Sequence, residues 1–240
     1  PSLVLAKSLF AAERPPVVPF PAAKPKIVSA DAMRRVYEEV KTPFKYGIIL
    51  KGETGELVDC PNVFRHQGHW YMLYVANKDR VGYQTCLARS DDLLHWEKLG
   101  RVLSFRPAGW DAWQADGGPA LYDTRWDGAT HELGTYDGHY WMSYLGGSRQ
   151  GYEPDPLATG IAHTDDPSVA REWSRLPENP VLSPAQSDVR DFERVTLYKT
   201  SIIRDEQQTL GAPFVMFYNG KSHPYGQESI GIAISGSGSI

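Results

Sequence analysis

The sequence predicts an all-β fold: a β-propeller of four-stranded antiparallel blades, incomplete in this chain. Three observations carry that expectation. A strand unit recurs along the chain, the composition favours strands and turns, and acidic residues collect just before the strands that would line a propeller axis.

The recurring unit is visible in VFRHQGHWYMLYVAN (63–77) and LGTYDGHYWMSYLGG (133–147), each with a turn at glycine followed by aromatic-aromatic-Met-x-Tyr. APFVMFYNG (212–220) gives a third copy. Each copy leads into a small-residue strand: GYQTCLARS (82–90), TGIAHTD (159–165) and IGIAIS (230–235). The first two continue through an acidic turn and a Trp, in DDLLHWEKLGRVL (91–103) and DDPSVAREWSRLPENPVL (165–182). A four-stranded unit repeating at this spacing is propeller behaviour, because a blade alone cannot bury its faces and needs neighbours. VDCPNVF, GGPALYD and YKTSIIRD are expected to be neighbouring inner strands around one axis, in separate blades. The third unit ends at GSGSI, a flexible tail by composition, without its acidic turn and Trp. Three blades cannot close a ring, so further blades are expected outside this sequence.

Residues 1–44 read as a segment apart, an extended strap and short helix packing on the propeller formed by 45–240. ERPPVVPFPAAKPK (13–26) is Pro-rich and extended. Ser29-Ala30-Asp31 caps a helix over 31–42 that Pro43 ends. Met33, Val36, Tyr37 and Val40 fall on one helical face, the spacing of a packing surface.

Composition limits the function classes. The 22 glycines and 18 prolines favour short strands and turns over long helices. A net charge of −4 makes no electrostatic case for nucleic acid or an acidic membrane surface as partner. Cys60 and Cys86 are too few for a disulfide framework and lack zinc spacing. No apolar run is long enough for a membrane helix, and no signal peptide is visible. The first residue is not Met, which fits an exported protein, periplasmic or secreted.

The strand mouths bring acids: Asp59 in GELVDCPNVFR, Asp111 and Asp116 in GWDAWQADGGPALYD, and Asp188, Asp191 and Glu193 in DVRDFERVTLYKTSIIRD. Asp59 is expected to open its inner strand and point into the funnel, with Pro61 tolerated at the strand's start. Carboxylates sharing a pocket push their pKa values apart, leaving one ionised base and one protonated acid, the equipment of a glycosidase. Asp116, beside Gly-Gly, reads as the turn residue of its pair. Asp91, Asp92, Asp165 and Asp166 read as turn residues throughout. Trp110 and Trp113 flank Asp111 in a loop without apolar periodicity, so their flat faces are available to stack on sugar rings. Gln114, Asp116, Tyr198, Lys199, Asn219 and His223 are the expected hydrogen-bonding partners of substrate hydroxyls. Trp96 and Trp173, in the repeated turns, read as core.

At these residues the chain resembles the five-bladed β-propeller glycoside hydrolases, the group that includes families 43, 32, 117 and 130. Asp59, Asp111 and Glu193 stand in the Asp-Asp-Glu chain order of families 43 and 32, and SDDLLHW (90–96) resembles the turn that closes blades in the group. Cys60 intervenes between Asp59 and Pro61, and Arg190-Asp191-Phe192 approximates a family Arg-Asp-Pro. The resemblance implies hydrolysis of a glycosidic bond in an oligo- or polysaccharide. Asp59 would be base or nucleophile, Glu193 the proton donor, and Asp111 the residue that orients the sugar and tunes Glu193. No cofactor is required, and no metal ligands are assigned; a structural metal on the axis is left open. Two other readings share the fold. One is a phosphorylase, with Lys199, Arg194 and His223 holding phosphate, and the other a carbohydrate-binding propeller without a working acid pair.

Overall fold

The computed structural model describes residues 28–41, 45–121, 123, 128 and 130–235. The Pro-rich stretch 13–26, Pro43 and the tail 236–240 lie outside the described residues. The chain divides into two compact units, Pro1–Tyr46 and Gly47–Ile240.

The described element of the first unit is helix α1 (Ala30–Val40). Ser29 is its N-cap, with the Ala32 N–H donating to Ser29 Oγ at 3.2 Å, and Asp31 places a negative charge in the first turn.

The second unit is built of blades. β1 (Glu56–His66), β2 (His69–Lys78), β3 (Tyr83–Ser90) and β4 (Glu97–Leu103) pair antiparallel in order. β5 (Gln114–Pro119), β6 (Tyr140–Gly147), β7 (Leu157–Thr164) and the two-residue β8 (Ser174–Arg175) repeat the pattern. β9 (Thr196–Arg204), β10 (Phe214–Lys221) and β11 (Glu228–Ile234) form a third, three-stranded sheet. The expected inner strands are therefore β1, β5 and β9. Asn62, Gly118 and Thr200, one from each, line a common cavity of about 400 Å³. One detail departs from separate blades. A short parallel ladder, Tyr83 to Gln114 and Gln84 to Ala115, stitches β3 to β5 and joins the first two blades into one eight-stranded sheet. The sheets do not close into a ring.

The blades pack face to face through apolar side chains. Phe64, Leu73, Leu87 and Leu103 of the first meet Met142, Tyr144, Ala162 and Trp173 of the second. Leu145 and Leu157 meet Tyr198 of the third. Trp173 is 1 % exposed, and Trp96 is partly buried with its Nε1–H donating to the Leu93 carbonyl.

The repeat extends to single residues. Gln67-Gly68 and Asp137-Gly138 turn the first two hairpins, both residues of each pair at positive φ, as a two-residue turn matched to strand twist requires. His69 bonds Asp91 and His139 bonds Asp165, each at 2.6 Å. Asp92 accepts the N–H groups of Leu94 and His95, and Asp166 that of Ser168, so these acids are turn formers as expected. The repeated tyrosine is Tyr74, Tyr144 and Tyr218, whose cross-strand neighbours are Cys86, Gly160 and Gly231. Each glycine gives its tyrosine ring room, and a Cβ at Gly160 would stand 2.6 Å from Tyr144 Cζ.

Candidate active site

Two β-bulges shape the funnel end of the inner strands. In β1 the register slips between Asp59 and Asn62, and Cys60 has φ +52°. The Cys60 N–H turns onto Asp59 Oδ1 at 2.7 Å, and Asn62 Nδ2 donates to the Cys60 carbonyl at 2.9 Å. Asp59 therefore does not open the strand, as expected from sequence, because β1 begins at Glu56. Pro61 is tolerated because a bulge suspends the ladder where its N–H is missing. In β9 the same device recurs at Lys199, with φ +51° and a slip opposite Phe217/Asn219.

Between these bulges lies Asp116. It is a strand residue of β5, not a turn residue, and Cys60 Sγ–H donates to its Oδ2 at 3.6 Å. The loop 148–156 adds Glu153 beside it, at φ +45°. That loop is tied down. Gln114 Nε2 donates to the carbonyls of Arg149 and Gly151, Lys221 pairs with Asp155 at 2.9 Å, and the Thr196 hydroxyl bonds the same carboxylate. From the third blade comes Glu228, the first residue of β11. Its carboxylate accepts from the Tyr198 hydroxyl and from Asn219 Nδ2 at 2.6 Å, with Lys199 Nζ at 3.9 Å.

Four carboxylates from three blades thus converge at one end of the inner strands. No protein-family model and no curated protein matches the chain. Two solved structures do. A complex of BT0996 with RGII is 45 % identical, with a TM-score of 0.76 over 87 % of this chain and 62 % of that one. A structure named as a glycoside hydrolase is 44 % identical at the same TM-score and coverage. Over 87 % of its length the chain is similar to a protein named as a glycoside hydrolase. It spans 62 % of the length of each of these two relatives.

The glycoside-hydrolase-like propeller does not bring its sequence-predicted acids together as expected. Asp59 and Asp116 reach the cluster, with Tyr198, Lys199 and Asn219. Asp111 does not. It is 0 % exposed, accepts from the Tyr144 hydroxyl at 3.0 Å, and pairs with Arg175 at 3.0 Å and Arg106 at 3.5 Å. Glu193, 5 % exposed in a 3-10 turn (Asp191–Glu193), accepts from the Tyr218 hydroxyl and the Arg190 N–H. Neither acid shares a partner with Asp59. Each stands three residues before its inner strand and satisfies the repeated tyrosine of its own blade. Asp111 has no exposed surface, whereas Glu193 borders a cavity of about 220 Å³ with Arg190 and Tyr218.

The segment GWDAWQAD also turns inward. Trp110 stacks on Tyr144 at 5.5 Å, Trp113 tilts against Phe105 at 5.1 Å, and Gln114 is fully buried with its amide nitrogen donating to the 149–151 loop. The segment lacks periodicity because it packs edge-on between blades rather than across one. His223 is an exposed turn residue. The exposed aromatic next to Glu153 in the chain is Tyr152, 62 % exposed and edge-on to Tyr83 at 5.5 Å. Tyr152→Ala should raise KM roughly threefold to tenfold without moving the melting temperature, whereas Trp110→Ala should cost about 3 kcal/mol of stability. Steady-state kinetics with thermal melts of both variants checks this.

The charges in the cluster are set apart. Burial raises Glu153 above the ordinary carboxylate range, and the charges of Asp59 and Glu228 add to the effect against Lys199 and Lys221. Glu228 is held below its ordinary range by the Tyr198 hydroxyl, then by Asn219, Lys199 and Lys221. Burial pushes Asp116 up to about 6, aided by Glu153 and Asp59 and opposed by the Cys60 thiol and Lys199. Among the described residues no group of three or more His, Cys, Asp or Glu is disposed to hold a metal ion.

Sequence reasoning missed Glu153 and Glu228. Inner-strand starts and the loops joining second to third strands lie at the same end of a blade, so loops 79–82, 148–156 and 222–227 had equal claim to the funnel. The signal was the length of 148–156 and the acid in GYEPDP.

Proposed function

We propose that the protein hydrolyses a glycosidic bond, with Glu153 as proton donor and Glu228 as the base that activates water or the nucleophile that attacks the anomeric carbon. The supporting observation is the convergence of carboxylates from three blades with opposite displacements: burial and the charges of Asp59 and Glu228 raise Glu153, while the Tyr198 hydroxyl and Asn219 hold Glu228 below its ordinary range. Protonated Glu153 gives its proton to the departing oxygen, while Glu228 works on the opposite side of the anomeric carbon. Asp59 and Asp116 add negative charge around the ring, where the transition state gains oxocarbenium character. Lys199, Asn219 and Tyr198 fix Glu228, and Tyr152 offers a stacking face. We favour this pair over Asp59-Asp111-Glu193 because Asp111 is fully buried and Glu193, beside a cavity of about 220 Å³, is bonded to Tyr218 of its own blade and apart from Asp59. Phosphorolysis is less favoured, because Lys199 and Lys221 are already paired with Glu228 and Asp155. The substrate class we favour is an RGII-type oligosaccharide, by analogy with the BT0996 complex.

The test is release of reducing sugar from RGII oligosaccharides and from a panel of aryl glycosides, with the protein and its Glu153→Gln and Glu228→Gln variants. An active protein whose Glu228→Gln variant keeps its turnover would sink the assignment. The pH profile follows from the same shifts. Activity needs Glu228 ionised and Glu153 protonated. It should therefore fall on the acid side only below the ordinary Glu range, and on the alkaline side only above it. Measurement of kcat/KM against pH checks both limbs, and Glu153→Gln should abolish the alkaline one.

A further inference from the structure

Lys221 takes no chemical step above, yet it stands between the two segments that carry the proposed catalytic pair. It is the last residue of β10, and its cross-strand neighbours are Thr196 on β9 and Glu228 on β11. Residues directly opposite one another share a face of the sheet, so Thr196, Lys221 and Glu228 form one row across the third blade. Two members of that row hold the loop 148–156 of the second blade. Lys221 Nζ pairs with Asp155 at 2.9 Å, and the Thr196 hydroxyl donates to the same carboxylate. We propose that Lys221 and Asp155 are positioning residues: their ion pair hangs the Glu153 loop from the strand row that ends in Glu228, and so fixes the spacing of the two carboxyl groups across the glycosidic bond. The inference rests on the proposed roles of Glu153 and Glu228.

Three features support it. The tie is sheltered: the side chains of Lys221 and Asp155 are 15 % and 20 % exposed and Thr196 is fully buried, so water and salt screen this pair less than a surface one. Both oxygens of the Asp155 carboxylate are engaged, Oδ2 by Lys221 and Oδ1 by Thr196, which leaves it one orientation. The rest of the loop is fastened to other blades. Arg149 Nη1 donates to the Asp155 carbonyl at 2.7 Å and closes the loop across its neck. Gln114 Nε2 holds the carbonyls of Arg149 and Gly151, and the Gly151 N–H donates to the Val81 carbonyl at 3.1 Å. These contacts fix the leading arm to the first two blades, while Asp155 ties the trailing arm to the blade of Glu228, with Glu153 between the arms. Spacing decides the chemistry, since carboxyl groups about 5 Å apart suit direct attack and those about 6.5–9.5 Å apart leave room for a water.

The experiment compares Lys221→Met, Asp155→Ala, the double variant and Lys221→Arg. Methionine keeps an unbranched stem and removes the charge, alanine cuts the same tie from the loop side, and arginine restores a cation. Asp155 lies in a loop, so its variant carries the test if the blade does not fold without Lys221. The direct readout needs no substrate: hydrogen–deuterium exchange of residues 149–155, followed by mass spectrometry, with thermal melts to show that each variant is folded. Exchange there should quicken about tenfold in Lys221→Met and in Asp155→Ala, and stay near the parent in Lys221→Arg. The second readout is kinetic. Each single variant should lower kcat about 10²-fold on a natural glycoside with KM within about threefold, because a displaced proton donor fails in the transition state and not in binding. The loss should shrink to under about tenfold on aryl glycosides with acidic leaving groups, and the double variant should be no worse than the poorer single one. Lys221→Arg should restore most of the turnover. Unquickened exchange in both single variants overturns the proposal. So does quickened exchange with turnover kept, or losses that multiply in the double variant. A parent protein that cleaves no glycoside overturns the Glu153–Glu228 assignment and this role together, whereas unquickened exchange in variants of an active parent overturns this role alone.

Discussion

Glu228→Gln is expected to lower turnover by at least about 10²–10⁴-fold while the melting temperature stays close to the parent's. Glutamine keeps the size of the side chain and one acceptor oxygen, which can receive the Asn219 amide while the Tyr198 hydroxyl turns to accept from the new NH2. What it loses is the negative charge and the basic lone pair. No neighbour replaces them: Lys199 and Lys221 are cations, and Glu153 is the proton donor of the proposed pair. Glu153→Gln differs in a diagnostic way. Its defect should be deep on a natural glycoside, whose leaving oxygen needs a proton, and shallow on aryl glycosides with acidic leaving groups. Parallel kinetics on both substrate types separates the two roles. A Glu228→Gln enzyme within tenfold of the parent, or a Glu153→Gln enzyme equally impaired on both, would reverse or dissolve the pair.

The division between what the sequence disclosed and what it hid follows from where each kind of information resides. Blade repetition was legible because each strand must carry its own apolar pattern, and Tyr74, Tyr144 and Tyr218 repeat it at one register. Asp59 was legible as a funnel residue because Asp-Cys-Pro interrupts a strand that otherwise pairs continuously. Asp111 and Glu193 lie apart from Asp59 for the same reason the repeat was legible. Those acids are part of the repeat, three residues before each inner strand, and Glu53 stands at the matching place in the first blade. Tyr74 feels the charges of Glu56 and Glu53 there. Chain order alone cannot separate an acid that enters the wall from one that enters the funnel. Asp111 and Asp116 are five residues apart, and the difference is which neighbour meets them: Arg175 and Tyr144 for one, Cys60 for the other. Glu153 was hidden because a loop residue acquires its environment from other blades, and Glu228, the first residue of β11, because its partners Tyr198, Asn219 and Lys199 come from the other strands of its own blade.

That reading of Asp111 makes the second large prediction. Asp111→Asn should destabilise the protein by about 3–5 kcal/mol, because it removes one partner of a buried ion pair and leaves the other. Arg175 has its side chain 12 % exposed and lies over the Tyr144 ring at 5.6 Å. Its remaining carboxylate partner is Glu172 at 2.5 Å, which is half-exposed and draws the guanidinium outward. Asparagine would still accept from Tyr144, so the loss reports the charge and not the hydroxyl bond. Urea unfolding of the single and double variants isolates this. Arg175→Met should be costly alone, whereas Asp111→Asn with Arg175→Met should lose less than the sum of the two, since a matched pair of neutral groups strands no buried charge. A catalytic Asp111 predicts the opposite pattern: a folded, normally stable Asp111→Asn protein with turnover lost. Melting like the parent would return Asp111 to the candidates for chemistry, and its burial beneath Arg175 would then need a blade movement to expose it.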